Sequence, residues 1–416
     1  MLTRPLSFCM ITTFYPPYNF GGDGIFVQRL SNELAARGHH VEIIHCTDAY
    51  HALEPTIPQN GFVEHPNITV HRLTSRAGHL SPFVTQQTGH PFFKRASLEK
   101  IMARDFDVIH FHNISLVGGP KILEYGRGVK LYTMHEYWLM CPMHLLLRAN
   151  GEVCTKRECF RCTLEHKRPP QWWRYSSLLQ NSLRHLDAVI TPSRFSKSQY
   201  DALGAAIPAR HLPNFVSDSE SAKEDSNAAP YFLFVGRLEK IKGVQTILPL
   251  FRERKNARLV IAGTGSYENE LQQLARNSPN IQFLGQQSFA QLKPLYRNAR
   301  AVILPSLWYE VFPLVALEAF QQKTPLLARN LGALREIVQA SGGGWNYDTD
   351  AELETLLEDV LQHPAERKRR GENGYANYRR DWTADAHLKR YFELLEELQQ
   401  KRRAQAPAPT KETFQQ

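Results

Sequence analysis

The sequence lacks the long uncharged apolar run that a membrane-spanning helix requires. Its closest candidate is Val302–Phe320, which two prolines and two glutamates interrupt. The first residues, Met1–Leu6, are short and polar and do not resemble a secretory leader. The chain has only six cysteines, and without such a leader they favour a reducing compartment. We therefore expect a cytoplasmic protein without a disulfide framework.

Two recognition motifs are also missing. No G-x-G-x-x-G sequence follows a strand-like segment, which argues against a nicotinamide dinucleotide site. No nucleic-acid-binding motif is found, so nucleic acid is not an expected partner. The net charge is +9, and residues 1–212 carry 23 Lys and Arg against 16 Asp and Glu. This excess fits peripheral contact with an anionic membrane or a lipid-phosphate acceptor, and it equally fits a generally basic soluble protein.

A chain of 416 residues is too long for one core and indicates two or three domains. Short apolar segments of strand length, each ending at Gly, Pro, Ser or a polar residue, alternate with helical stretches. This alternation predicts an α/β protein with parallel sheets covered on both faces. In the second half the predicted strands are 231–235, 258–261 and 301–304. In such sheets, ligands bind beyond the carboxyl ends of the strands.

Chemically active side chains follow those three strands. Gly236-Arg237, Gly263-Thr264-Gly265 and Ser306–Glu310 should therefore line one crevice. Arg237 and Lys242 suit phosphate, whereas Glu310 and Glu318 suit sugar hydroxyls. A helix beginning near Pro313, which suits a first helical position, would add free N–H groups for an anion. The set predicts a nucleotide diphosphate-sugar, although each residue alone is also compatible with an ordinary surface or helix position.

The first half offers a second phosphate-facing turn. Gly21 and Gly22 lie between a predicted strand, 8–14, and a predicted helix, Ile25–Arg37. Glycines at the mouth of a helix allow a phosphate to approach its N–H groups. The alternative is a tight turn that merely needs glycine.

These motifs resemble those of glycosyltransferase family 4. The resemblance includes Val235-Gly-Arg-Leu238, Lys242-Gly243, the Glu310-x7-Glu318 pair and the junction Leu212-Pro-Asn214. It implies the GT-B fold, in which two Rossmann-like doubly wound domains face each other across a cleft. It also implies a retaining glycosyltransferase of the hexosyltransferase type that uses no catalytic metal.

The resemblance assigns roles residue by residue. It implies that Arg237 and Lys242 hold the diphosphate, that Glu310 binds the donor sugar and that Glu318 binds the ribose. It places His135 at the reaction centre, with Glu136 orienting it, and a buried structural histidine is the alternative. The further donor-binding positions are Gly21, Gly22, Gly236, Gly263, Phe312, Pro313 and Leu314. Pro313 departs from the family's Phe-Gly and removes a backbone donor.

The domain boundaries follow from the same comparison of motifs. Residues 1–212 form the acceptor-side domain, and 213–230 form a linker with little apolar content. Residues 231–375 form the nucleotide-sugar domain, and 376–403 form a helix that by resemblance returns to the first domain. Residues 404–416 are expected to be disordered. A basic amphipathic helix is predicted at Pro91–Arg104, either covering the first sheet or touching a membrane.

A cysteine-rich insertion, 141–170, is the peculiarity of the chain. Cys141, Cys154, Cys159 and Cys162 have the spacing C-x12-C-x4-C-x2-C. Four thiols within a short loop suit a structural zinc ion. Free thiols and an iron–sulfur cluster are the alternatives. Cys9 and Cys46 lie in predicted strands and look like small core residues.

The sequence therefore predicts transfer of a sugar from a nucleotide-sugar to a glycan or lipid-linked acceptor, in polysaccharide or glycoconjugate biosynthesis. Two alternatives stay open at this point. A nucleotide-sugar epimerase of the same fold would convert the donor without an acceptor. A non-catalytic partner in a glycan-assembly complex would not turn over the donor at all.

Overall fold

The computed structural model describes residues 4–54, 56, 63–154, 156–204, 207–223, 225, 229–252, 254 and 256–405. Its first domain is built on a seven-stranded sheet in the order β3-β2-β1-β4-β5-β6-β7, with every neighbouring pair parallel. The strands are β1 Ser7–Ile11, β2 His40–Cys46, β3 Ile68–Leu73, β4 Val108–Phe111, β5 Val129–Thr133, β6 Ala188–Thr191 and β7 Ala209–His211.

The second domain is built on a six-stranded parallel sheet in the order β10-β9-β8-β11-β12-β13. Its strands are β8 Tyr231–Val235, β9 Arg258–Ala262, β10 Ile281–Phe283, β11 Val302–Leu304, β12 Leu326–Arg329 and β13 Gly344–Tyr347. The first strand of each domain, β1 or β8, lies near the middle of its sheet. The next two strands are added on one side of it, and the later strands are added on the other side. This is the doubly wound arrangement that the sequence predicts.

Helices cover both faces of each sheet. Those of the first domain are α1 Gly22–Ala36, α2 Thr47–His51, α3 Leu80–Thr88, α4 Arg95–Met102, α5 Cys159–Glu165, α6 Leu178–Leu183 and α7 Arg194–Asp201. Those that follow are α8 Val244–Arg252, α9 Glu268–Leu274, α10 Phe289–Asn298, α11 Leu314–Gln321, α12 Gly332–Ser341, α13 Asp350–Gln362, α14 Pro364–Asp381 and α15 Ala384–Gln405.

Alternate residues of each central strand pack into different cores. In β1, Cys9 and Ile11 join one apolar cluster while Phe8 and Met10 join another. This division shows that both faces of the sheet are buried, and it explains why β1 reads as a continuous apolar run. Cys9 and Cys46 are buried core residues, as predicted.

The chain returns to the first domain at its end. The apolar face of α15, including Leu388, Leu395 and Leu398, packs into the core of the first domain. The crossing helix begins at Ala384, because α14 continues to Asp381 in the second domain. The predicted boundary at residue 375 therefore cuts through α14. Of the predicted tail, 404–416, the first two residues belong to α15 and the others lie outside the described residues.

The helix predicted at Pro91–Arg104 is shorter than expected. The structure forms α4 only over Arg95–Met102, and it buries Leu98, Ile101 and Met102 against the first sheet. The preceding Phe92 and Phe93 are exposed instead of lying on the apolar face of the helix. Within the described ranges, no helix is both long enough and apolar enough to cross a bilayer.

Candidate functional site

The turns after β8 and β9 are stacked directly on each other. The Gly236 amide donates to the Ala262 carbonyl at 3.1 Å, and the Leu238 amide donates to the Thr264 carbonyl at 2.9 Å. A Cβ atom on Gly263 would lie 1.9 Å from the Gly236 carbonyl oxygen, so only glycine permits this approach. The predicted donor-binding glycines thus shape the crevice through their close packing.

A second close packing joins the β8 turn to the segment after β11. Gly243 follows a 3₁₀ turn at Lys240–Lys242, has φ +77° and would place a Cβ atom 2.0 Å from the Pro305 carbonyl oxygen. The Leu307 amide donates to the Ile241 carbonyl at 2.8 Å. The three strand ends therefore meet in one crevice, as the sequence predicts.

This packing places Lys242 against Glu310. The Lys242 Nζ atom lies 2.7 Å from Glu310 Oε1, and it also lies 5.2 Å from the centre of the Trp308 ring. The same Oε1 atom accepts from the Ser306 hydroxyl at 2.7 Å and from the Trp308 indole N–H at 3.1 Å. Within the described chain Glu310 Oε2 has no hydrogen-bond partner. One oxygen of this nearly buried carboxylate thus remains able to accept from a ligand.

Arg237 does not join this pair. Its guanidinium bonds to the neighbouring Glu239 at 2.6 Å, and its side chain is 49 % exposed. The structure therefore brings Lys242 and Glu310 together and leaves Arg237 at a more open position. The diphosphate role of Arg237 stays a prediction.

The first turns of α1 and α11 face each other across the two domains. A Cβ atom built on Gly22 would lie 3.8 Å from Leu314 Cδ1. Neither helix has a side-chain cap, so no N-cap side chain accepts a hydrogen bond from the first N–H groups. The free N–H groups at both N-termini favour an anion, whereas the Asp23 carboxylate in the first turn of α1 places a negative charge beside them. Gly21, Gly22 and Leu314 therefore belong to one place in the fold.

Two details of the α11 turn differ from the prediction. Pro313 occupies the N-cap, with extended φ −73° and ψ 115°, because the helix begins at Leu314 rather than at the proline itself. The Phe312 ring is buried and packs against Trp382, with 6.1 Å between ring centres. The donor-binding role of Phe312 stays a prediction.

Glu318 is held at the domain interface. Its Oε1 atom accepts from Arg29 of α1 at 2.7 Å, and its Oε2 atom accepts from the buried Tyr296 hydroxyl at 3.0 Å. Arg29 was not anticipated from the sequence. Nothing around it in the sequence distinguishes it from any other helix arginine.

His135 follows β5, is partly exposed, and packs against the buried rings of Phe26 and His112. Its Nε2 atom shares a 3.0 Å hydrogen bond with His112 Nδ1, and its ring packs on Phe26 at 5.1 Å. His112 in turn packs on His110 at 4.1 Å. Burial lowers the pKa of His135 to about 4, with Asp23 acting in the opposite direction. His135 is therefore a neutral imidazole at neutral pH.

Glu136 does not orient the His135 ring as the sequence predicts. The Glu136 carboxylate bonds to His144 Nδ1 at 2.8 Å, and His112 holds His135 instead. The next residue, Tyr137, shares one apolar cluster with Trp308 and Val311, which flank Glu310. The segment after His135 thus packs against the crevice of the second domain.

The four cysteines of the insertion line one cavity of about 640 Å³ between the loop 140–158 and α5. All four are free thiols. Across the part of the chain that the structure describes, no three His, Cys, Asp or Glu side chains are grouped so that they could hold a metal. The structure thus gathers Cys141, Cys154, Cys159 and Cys162 without a formed site, and zinc stays a prediction.

Comparisons with known proteins agree with this architecture. A model described as Glycosyltransferase Family 4 matches residues 20–220, and one described as Glycosyl transferases group 1 matches residues 217–377. An uncharacterised glycosyltransferase of Methanocaldococcus jannaschii is 40 % identical over 360 residues, which cover 82 % of this chain and 85 % of that protein. The chain belongs to glycosyltransferase family 4.

Solved structures similar to this family 4 enzyme have the same fold. Sucrose-phosphate synthase from Thermosynechococcus elongatus superposes with a TM-score of 0.72 at 19 % identity, over 95 % of this chain and all of that one. Anabaena HepE, solved with UDP and glucose, superposes with a TM-score of 0.67 at 16 % identity, over 94 % of this chain and all of that one. These structures confirm the predicted GT-B fold. The family models and the 40 % identical relative confirm the predicted glycosyltransferase activity.

The buried histidines predict acid sensitivity. Burial lowers the pKa of His45 to about 3, of His135 and His387 to about 4, and of His110 and His112 well below 6.5. Between pH 6.5 and 5 the unfolded chain binds protons that the native chain excludes, so stability should fall with pH. Each histidine contributes up to ~1.4 kcal/mol per pH unit to the free energy of unfolding.

Denaturant unfolding at pH 7, 6 and 5 measures this slope. His112→Gln should reduce the dependence of the free energy of unfolding on pH by the contribution of about one bound proton. His363→Gln, on the exposed surface, should leave it unchanged. An equal free energy of unfolding at pH 7 and pH 5 would contradict the interpretation.

Elemental analysis of purified protein tests the cysteine cavity. If zinc binds there, we expect about one zinc ion per chain, lost in Cys159→Ser and in Cys162→Ser because each thiolate is a ligand. Cys9→Ala, which changes a core thiol in β1, should keep the metal. Wild-type protein without stoichiometric metal and with all four thiols open to titration would show that the cavity holds no zinc.

Proposed function

We propose that this family 4 enzyme transfers a sugar from a nucleotide diphosphate-sugar to a glycan or lipid-linked acceptor, with retention and without a catalytic metal. The observation that supports it is the Lys242–Glu310 pair, at 2.7 Å, in the crevice beyond the strand ends of the nucleotide-sugar domain. A cation for phosphate and a carboxylate for hydroxyls are the two chemistries that such a donor requires. That HepE was solved with UDP and glucose agrees with this donor class.

The reaction breaks the bond between the sugar C1 atom and the β-phosphate oxygen, and negative charge develops on the departing diphosphate. Lys242 and the uncapped N-termini of α1 and α11 would stabilise that charge without rearrangement. The acceptor oxygen forms the new bond on the same face of the sugar, and its proton goes to the departing phosphate oxygen. Arg237 adds a second cation at the open side of the crevice.

The carboxylates would orient the donor. Glu310 Oε1 is saturated by three donors, so the carboxylate is held in place while Oε2 accepts from hydroxyls of the donor sugar. Glu318 accepts from the ribose. His135, neutral because of burial, can donate or accept one hydrogen bond at the atom that His112 does not use.

Turnover of Lys242 and Glu310 variants tests the proposal. Thermal-shift screening with UDP-, GDP-, ADP- and TDP-sugars first identifies the donor. Lys242→Met should then lower kcat by about 100-fold or more, because charge stabilisation of the leaving group is lost. Glu310→Gln should mainly weaken selection of the donor sugar. Lys240→Met, an exposed lysine in the same turn, is the matched control and should keep wild-type rates.

Wild-type turnover by Lys242→Met would remove the basis of the proposal. Conversion of the donor into another nucleotide-sugar in the absence of any acceptor would indicate an epimerase instead. Absence of both binding and turnover with every donor would favour a non-catalytic partner.

We further propose that the acceptor side rests on an anionic membrane. Four exposed apolar residues lie in or near the insertion: the aromatic residues Phe160, Trp172 and Tyr175, which form a patch, and Leu164. Phe160 lies 6.3 Å from Trp172 and 6.2 Å from Tyr175, measured between ring centres. Exposed cationic residues lie close to these residues in the sequence, namely Arg157, Arg161, Lys167 and Arg168. Aromatic side chains beside cations suit the interface of an anionic bilayer.

Vesicle sedimentation tests the membrane contact. The protein should sediment with phosphatidylglycerol vesicles and much less with phosphatidylcholine vesicles, because the cations require anionic headgroups. Trp172→Ala should weaken the binding at least about threefold. Leu274→Ala, an exposed leucine of the second domain, is the control and should bind as wild type. Equal sedimentation of wild type and Trp172→Ala would contradict the proposal.

A further inference from the structure

Arg29 reaches from the first domain into the donor side of the second. It lies seven residues after Gly22 on α1, which places both on one face of the helix. Its Nη2 atom bonds to Glu318 Oε1 at 2.7 Å, and its guanidinium lies 5.7 Å from the centre of the Phe289 ring. Both contacts are with the second domain. Arg29 is thus anchored across the cleft and not on its own domain.

The other terminal nitrogen of Arg29 has no partner. Nη1 is buried and makes no hydrogen bond within the described residues. A buried N–H group of a cation that lacks an acceptor destabilises the structure, because its hydrogen bond with water is lost and not replaced. Because Nη1 and Nη2 belong to one planar fork, Nη1 is fixed beside the carboxylate that is proposed to bind ribose. An oxygen atom of a ligand at that position would satisfy it.

Glu318 does not exclude such a ligand. Each of its oxygens accepts one hydrogen bond, from Arg29 and from Tyr296 respectively. A carboxylate has about four acceptor positions, so two remain for a diol. Arg29 and Glu318 together therefore offer one donor and two acceptor positions side by side. This combination matches a nucleotide that presents both hydroxyl and phosphate oxygens.

We propose that Arg29 is a donor-binding residue contributed by the acceptor-side domain. Its Nη2 atom keeps Glu318 in place, and its Nη1 atom donates to a ribose or phosphate oxygen of the nucleotide. The inference rests on the proposed nucleotide-sugar donor. It adds a side chain to the first domain's share of the donor site, beyond the turn at Gly21 and Gly22.

Calorimetry with UDP, GDP, ADP and TDP tests the inference on the full chain. For the nucleotide that wild type binds, Arg29→Met should raise Kd at least tenfold. Arg29→Lys should have an intermediate effect, because it keeps the charge and loses the fork. Arg95→Met is the matched control: Arg95 also pairs with a carboxylate, within α4, and this variant should change Kd less than twofold.

The corresponding nucleoside distinguishes the two kinds of oxygen. A loss seen with the diphosphate alone assigns Nη1 to a phosphate oxygen. A loss seen with both ligands places the effect at the ribose, through Nη1 or through Glu318, which Nη2 holds. Thermal unfolding of Arg29→Met within about 2 °C of wild type shows that the fold is intact.

Two results would overturn the inference. If wild type binds a nucleotide and Arg29→Met binds it equally well or more tightly, Arg29 is only a bridge between domains. If wild type binds none of the four nucleotides, the proposed donor class is wrong and the role of Arg29 falls with it.

Discussion

The ion pair between Lys242 and Glu310 is the interaction on which the site depends. It removes two charges largely from water, which is costly unless further hydrogen bonds accompany the pair. Ser306 and Trp308 supply them, both to Glu310 Oε1. The pair also requires the β8 turn to touch the segment after β11, and Gly243 makes that contact possible. Close backbone contacts between these two segments thus hold one cation and one carboxylate in a fixed arrangement.

A second constraint is that the two domains meet. The Glu336 carboxylate of α12 accepts from the first amides of α7, those of Arg194 and Phe195, each at 2.9 Å. Arg29 bridges to Glu318 on α11, and α15 joins the end of the chain to the core of the first domain. These contacts bring the N-termini of α1 and α11 together, so residues of both domains surround the proposed anion site.

The sequence predicted those parts of the fold whose signal is local. Strands such as β1 and β8 are nearly continuous apolar runs, so their position is evident. The strands β7, β10, β12 and β13 are three or four residues long and are not predicted from the sequence, because short segments carry no clear period. The equally short β11 is predicted because all three of its residues are apolar and a proline follows closely. The glycines, Lys242, Glu310 and Glu318 were found through motifs. Arg29 and His112 were not, because their partners are remote in the sequence and only the fold brings them together.

The central claim is that the diphosphate lies between the two uncapped helix N-termini, beside Lys242. A crystal structure of the protein with its nucleoside diphosphate tests this most directly. The account predicts phosphate oxygens within hydrogen-bond distance, about 2.7–3.2 Å, of Lys242 Nζ and of the first amides of α11, with Gly22 facing them. A nucleotide bound with its phosphates away from α1, α11 and Lys242 would contradict it.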